Sequence, residues 1–138
     1  MPATRHITDE MMPALEGVVP AVLASCSSSG IPNVTYISQV YYVDAGHVAL
    51  SRQFFNKTVS NISENPVACV VLTCPLTYNM YKLRLQFKES KTAGEIFTGM
   101  RLQLEVIAGI QGKSDTFKLL AADIYEIISI ERVYRMDT

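Results

Sequence analysis

The sequence predicts a mainly β fold of six mostly antiparallel strands in a closed or partly closed barrel, with few helices. Three observations predict it. Short apolar segments are separated by turn signals such as SSSGIP and DAG, and most connections are of hairpin length. One segment alternates strictly, with Tyr81, Leu83, Leu85 and Phe87 on one face and Lys82, Arg84, Gln86 and Lys88 on the other. Closure, finally, removes the exposed edges that six such strands would otherwise present.

Residues 8–16, TDEMMPALE, predict a short helix: Thr8 caps it, Asp9 and Glu10 suit its first turn, and Pro13 limits its length. Strands are then expected near 20–27, 33–43 and 47–53, divided by SSSGIP and DAG. A helix over 57–64 ends at Asn65-Pro66, because proline disfavours helical geometry in the residue before it. VACVVLTC, from 67 to 74, is apolar on both faces and should run through the centre of a core. The alternating strand spans 78–89. Over 93–109 the longest helix is expected, with Thr92 and Glu95 at capping-box spacing and Gly109 and Gly112 at its end. Its apolar stripe, Ile96, Met100, Leu104 and Ile107 or Ala108, reads as core packing. A last long strand is expected over 116–133.

At 138 residues the chain is expected to be one domain, whether it is a whole protein or part of a longer one. Hydrophobic residues make up 49% and charged residues 18%, which is a globular composition. A net charge of −1 leaves no broad basic field for nucleic acid. The longest apolar runs are strand-length, far short of a membrane span, and the N-terminus MPATRHITDEMMPALEG lacks an apolar signal core. A cytoplasmic protein is expected. Cys26, Cys69 and Cys74 show no C-x-x-C spacing and mostly sit in apolar runs, so they read as buried, reduced thiols.

Motifs for autonomous catalysis are scarce. Only His6 and His47 are available, without H-E-x-x-H, so a histidine metal site is not expected. There is no G-x-S-x-G, no G-x-G-x-x-G and no G-x-x-x-x-G-K-[ST]. Any chemistry should be carried by a bound cofactor. The stretch SRQFFNKTVSNISENP, residues 51–66, offers a place for an anion. The unpaired N–H groups of a helix's first turn and its dipole attract negative charge. Lys57 and Arg52 could add charge-assisted bonds, Asn56 could cap the helix, and Thr58 and Ser51 supply hydroxyls. Upstream, PNVTYISQ places Asn33, Thr35 and Ile37 on one strand face and Val34, Tyr36 and Ser38 on the other. Polar and aromatic groups beside an anion seat could hold a flat ring attached to a phosphate.

The run GIPNVTYISQVYYVDAGHVALSRQFFNKTVSNISENPVACVVLT resembles the pyridoxamine 5′-phosphate oxidase-like family of FMN-binding split barrels. The shared order is G-x-P-x-V, a strand, a hairpin, a second strand, a basic helix start and N-P before a further strand. The likeness extends over about residues 15–133. It implies a six-stranded antiparallel split β-barrel with Greek-key connections, and a homodimer with two FMN sites at the subunit interface. By resemblance, Asn33, Val34, Thr35 and Tyr36 line the flavin, while Ser51, Arg52, Asn56, Lys57 and Thr58 hold the ribityl and phosphate groups. Lys57 matches the family's helix-start lysine. Arg52 transfers less directly and could instead cover the ring edge or pair with an acid. Lys82 and Arg84 could approach the partner's cofactor.

The chain departs from the enzymes that give the family its name. Those carry a C-terminal arginine and histidine segment that grips the pyridoxal substrate, whereas ADIYEIISIERVYRMDT has no histidine. Oxidation of pyridoxamine phosphate is therefore not expected. Related barrels include flavin reductases, deazaflavin-dependent reductases and haem-associated proteins; the helix-start lysine favours FMN. The first expectation is an FMN-dependent oxidoreductase of unassigned substrate with no side chain nominated as acid or base. The alternative is a non-catalytic flavin-binding module whose redox state is read by a partner. A barrel that has lost its cofactor and serves only as a dimer is the third.

Overall fold

The computed structural model describes residues 4–52, 56–110 and 119–134. After a 3₁₀ helix at Asp9–Leu15 come β1 (Ala21–Cys26), β2 (Pro32–Ile37), β3 (Val40–Asp44) and β4 (His47–Arg52). Then follow α1 (Asn56–Glu64), β5 (Val67–Thr73), β6 (Met80–Lys91), α2 (Glu95–Ile110) and β7 (Ala121–Tyr134). The fold is mainly β and antiparallel, as expected, with seven strands instead of six.

The extra strand arises where one was expected over 33–43. That segment breaks at Ser38-Gln39, and its halves pair with different neighbours: β2 with β1, β3 with β4. Gln39 is 1% exposed, and its Nε2 donates to the Met100 carbonyl (3.1 Å) and to Gln103 Oε1 (2.7 Å), both on α2. The break also explains closure. In the sheet order β2-β1-β5-β6-β7-β4-β3, the two edges are strands joined by two residues. Three peptide steps reach about 11 Å at most, so the sheet must curl until the end of β2 and the start of β3 come together, with no pairing between the two edge strands.

Interior-facing residues follow from strand alternation. Leu23, Val70, Leu72, Leu83 and Leu85 are at most 1% exposed and fill the barrel. A second cluster lies on the other side of β4 and β7, where Ala49, Ala122 and Ile124 meet Met100 and Leu104 of α2. This leaves β4 buried on both faces, with Val48 and Leu50 inside the barrel and Ala49 under α2. β5 behaves differently from expectation. Ala68, Val70 and Leu72 are buried, but Cys69, Val71 and Thr73 are half-buried and Val67 is 37% exposed. Nothing described in the chain covers its outer face.

Several boundaries shift for identifiable reasons. The N-terminal helix is 3₁₀: its bonds Met11 N–H to Thr8 O and Glu16 N–H to Pro13 O span three residues, and Pro13 has no N–H for a longer ladder. Thr8 makes no side-chain capping bond. The first bond of α2 runs from Thr98 N–H to the Gly94 carbonyl (2.9 Å), so Gly94 and not Thr92 is its cap. Gly109 lies inside α2, which continues to Ile110. Gly112, and residues 116–118 of the expected last strand, lie outside the described residues. All three cysteines are free; Cys74 is buried and Cys26 and Cys69 are half-buried.

Two helices close the barrel at opposite ends of β6. Ile62 of α1 belongs to the barrel core, and α1 and Phe87 line one cavity together; Met11 of the 3₁₀ helix and Tyr81 line another.

Candidate cofactor site

The expected site residues lie around the junction of β4 with α1 and on the sheet's outer face. Arg52 ends β4, and its guanidinium makes a fork onto Asp123 of β7: Nε donates to Oδ2 (3.0 Å) and Nη2 to Oδ1 (2.9 Å). Ser90 of β6 completes the group, accepting from Arg52 Nη2 (2.9 Å) and donating to Asp123 Oδ1 (2.5 Å). Such planar, charge-assisted pairs hold geometry tightly. The cation of Arg52 is thus balanced by a carboxylate before any ligand arrives.

Thr58, one turn into α1, is 5% exposed and its hydroxyl accepts from Asn33 Nδ2 at 3.4 Å. A second bond runs parallel, from Asn61 Nδ2 to Ser25 Oγ of β1 (3.1 Å). These polar contacts dock α1 on the inner faces of β1 and β2. At the far end of the helix, Glu64 accepts from both the N–H (3.0 Å) and the hydroxyl (2.6 Å) of Ser28, and these bonds hold its carboxyl below the usual range. Lys57 stands exposed in the first turn. The Asn56 side chain lies outside the described ones.

Beneath α1 is a cavity of about 290 Å³ lined by Leu50, Arg52, Thr58, Phe87, Asp123 and Tyr125, among others. Phe87 and Tyr125 meet edge-to-face, with ring centroids 5.5 Å apart. Burial, reinforced by the charge of Asp123, pushes the Tyr125 phenol far above its ordinary value, so it stays neutral. The cavity is at the lower edge of the roughly 300–1,000 Å³ typical of small-molecule pockets.

Strand alternation separates the other expected residues. Ser51 is fully buried and falls on the α2 side of β4, opposite Ala122, while Arg52 falls on the cavity side. Thr35 shares the inner face of β2 with Asn33. Val34 (65% exposed) and Tyr36 (75% exposed) point outward. On that outer face the registers form rows: Val34–Ala24–Cys69–Arg84 and Tyr36–Val22–Val71–Lys82. Val34 and Arg84 are therefore on one face, three strand spacings or roughly 14 Å apart. Lys82 bonds Glu131 of β7 at 2.6 Å; this pair raises the lysine and lowers the glutamate. Burial raises the Cys69 thiol, against the opposing pull of Lys82 and Arg84.

The structure thus brings Asn33, Arg52, Lys57 and Thr58 to one end of the barrel, and Val34, Tyr36, Lys82 and Arg84 to one outer face. Asp123, Ser90 and Tyr125 were missed. Asp123 did leave a signal, as the one acid within the apolar run LLAADIY. For an FMN phosphate the donor set at the start of α1 fits, with first-turn N–H groups, an exposed ammonium and a hydroxyl.

Comparison with known proteins agrees with this architecture. The fold is a split barrel shared with solved structures of low sequence identity. An FMN-binding protein from Syntrophomonas wolfei subsp. wolfei superposes with a TM-score of 0.76 at 15% identity, covering 93% of this chain and 87% of that one. An F420 reductase gives 0.65 at 13% identity, over 91% and 98%. In sequence, the pyridoxamine 5′-phosphate oxidase family model matches residues 7–102, and the chain belongs to that family. An uncharacterized protein of Methanocaldococcus jannaschii is 30% identical over 134 residues, 85% of this chain and 89% of that protein. Among the described residues, no helix is long and apolar enough to cross a membrane.

Proposed function

We propose that this protein is an FMN-binding flavoprotein, working as an FMN-dependent oxidoreductase on a substrate other than pyridoxamine phosphate, and as a homodimer. The observation that carries the reading is the junction of β4 with α1, where Lys57 stands exposed and the Asn33–Thr58 contact ties the helix start to β2. Family membership and the FMN-binding neighbour support a flavin, and the exposed lysine in the first turn of α1 favours FMN. Bound FMN would supply reversible acceptance of a hydride.

The chain's own residues take distinct parts. Lys57, Thr58 and the first-turn N–H groups hold the phosphate. Arg52, held by Asp123 and Ser90, fixes the end of β4 beside that seat; Ser51 anchors the same strand from the α2 side. Asn33 and Thr35 present polar groups toward α1. Val34 and Tyr36 form an apolar wall that excludes water from the flavin. Lys82 and Arg84 reach toward the cofactor of the second subunit. The dimer reading rests on the outer face of β1, β2 and β5, where Val34, Tyr36 and Val67 remain exposed and Cys69 and Val71 half-exposed.

One observation favours the alternative, a non-catalytic redox-sensing module. Among the described residues lining the cavity, Asp123 is the only carboxylate, and Arg52 and Ser90 already hold it. No free acid or base stands ready there. Mass analysis of the ligand released by denaturing purified protein tests the cofactor. FMN supports the reading; F420, haem or no ligand overturns it. Turnover of a reduced nicotinamide with an acceptor then favours the enzyme, and a reduction-driven change of shape or association favours the sensor.

A further inference from the structure

Strand alternation puts Asp123 and Tyr125 on one face of β7, opposite Leu50 and Val48 of β4, and both line the cavity beneath α1. Phe87, the β6 partner of Tyr125, joins Leu23, Leu50 and Ile62 in making most of the remaining wall apolar. Arg52, Asp123 and Ser90 bond to one another, so their charges are balanced within the wall. Tyr125 is 2% exposed, and its hydroxyl has no hydrogen-bond partner among the described residues. Unlike the Tyr81 hydroxyl, it is not enclosed by protein atoms, and the space it meets is this cavity. Burial and the Asp123 charge keep the phenol protonated, which makes it a neutral donor.

Water serves such a hydroxyl poorly, because it needs several polar partners and a mostly apolar wall offers few. An engineered cavity of about 150 Å³ lined by aliphatic and aromatic side chains stays dry and takes up benzene. At about 290 Å³ this one has room for a ring and a substituent. The Phe87 and Tyr125 rings already meet edge-to-face at 5.5 Å, and a further ring can pack against the same pair. An anion is disfavoured: the apolar wall cannot solvate it, and Arg52, the only cation among the described lining residues, is already paired. We propose that the cavity beneath α1 binds a small neutral aromatic carbonyl compound, whose oxygen accepts from the Tyr125 hydroxyl while its ring packs against Phe87. Arg52 and Thr58 border both this cavity and the phosphate seat, but the bond from Tyr125 uses neither, so it stands or falls separately from the flavin reading.

Acetophenone is the probe and ethylbenzene, which lacks the oxygen, the control; each is titrated into the whole protein as purified and followed by NMR. Saturable shifts at Leu50, Ile62, Phe87 and Tyr125 are expected with acetophenone. In Tyr125→Phe the affinity for acetophenone should fall roughly two- to tenfold, the loss of one neutral hydrogen bond, while that for ethylbenzene should not fall. Without ligand the same variant should be at least as stable as the parent, because it removes an unpaired buried hydroxyl. No saturable acetophenone response, an unchanged acetophenone-to-ethylbenzene ratio in Tyr125→Phe, or benzoate binding as tightly as acetophenone would overturn the proposal. Displacement of bound flavin by acetophenone would put the compound in the cofactor seat and overturn it as well. So would marked destabilisation of Tyr125→Phe, by showing that the hydroxyl already has a partner inside the protein.

Discussion

Lys57 and Asp123 carry opposite kinds of responsibility at the cofactor end of the barrel. Lys57 is exposed and makes little of the fold, so Lys57→Ala should leave stability nearly unchanged. It should weaken FMN by about 1.5–3 kcal/mol, the range for a hydrogen bond to a charged group, as read by flavin fluorescence titration. Asp123 holds the guanidinium of Arg52, whose side chain is 30% exposed against 10% for the acid. Asp123→Ala should destabilise the protein by about 2 kcal/mol in urea unfolding, less than the 3–5 kcal/mol for breaking a fully buried pair, because water reaches the stranded cation. Glu64 gives a pH prediction. Its carboxyl is depressed by the two Ser28 bonds, so its contribution is present above the ordinary glutamate range and lost as pH falls through the lowered value. In Ser28→Ala, NMR titration should find the Glu64 midpoint raised toward the ordinary value, because the hydroxyl bond is lost while the backbone N–H bond remains. Basic and hydroxyl residues at a helix start were legible because they are local in sequence. Asp123 and Ser90 were not, since they reach Arg52 only through strand register.

At the scale of elements, period decided what the sequence could show. The alternation of β6 predicted its buried face, and Tyr81, Leu83 and Leu85 are all within 4% exposure. The break at Ser38-Gln39 was hidden because β2 and β3 together read as one uninterrupted run; only the bonds from Gln39 to α2 reveal the crossing. Gly17 is part of the same crossing. Its φ is +81°, and a Cβ there would meet the Ser38 carbonyl oxygen at 2.9 Å. Gly17→Ala should therefore cost about 1–3 kcal/mol through left-handed strain and backbone crowding, measurable by urea denaturation. An unchanged midpoint would mean that the segment before β1 does not pack against the crossing as described.

For the whole molecule, the seven-stranded order puts an apolar strand, β5, under an outer face that the described chain leaves open. Sequence alone read β5 as covered on both sides, because it cannot distinguish coverage within a chain from coverage by a second copy. If the second copy supplies it, Tyr36→Asp on that face should shift the protein toward monomer in sedimentation velocity and weaken flavin binding with it. A monomeric parent would exclude the interface reading. The central claim is that the β4–α1 junction seats FMN. Equilibrium titration of the flavin-free protein with FMN, with riboflavin as the phosphate-less control, tests it most directly. The account predicts saturable FMN binding, with riboflavin much weaker in the parent and the difference largely lost in Lys57→Ala. Equal affinity for FMN and riboflavin in the parent would contradict it.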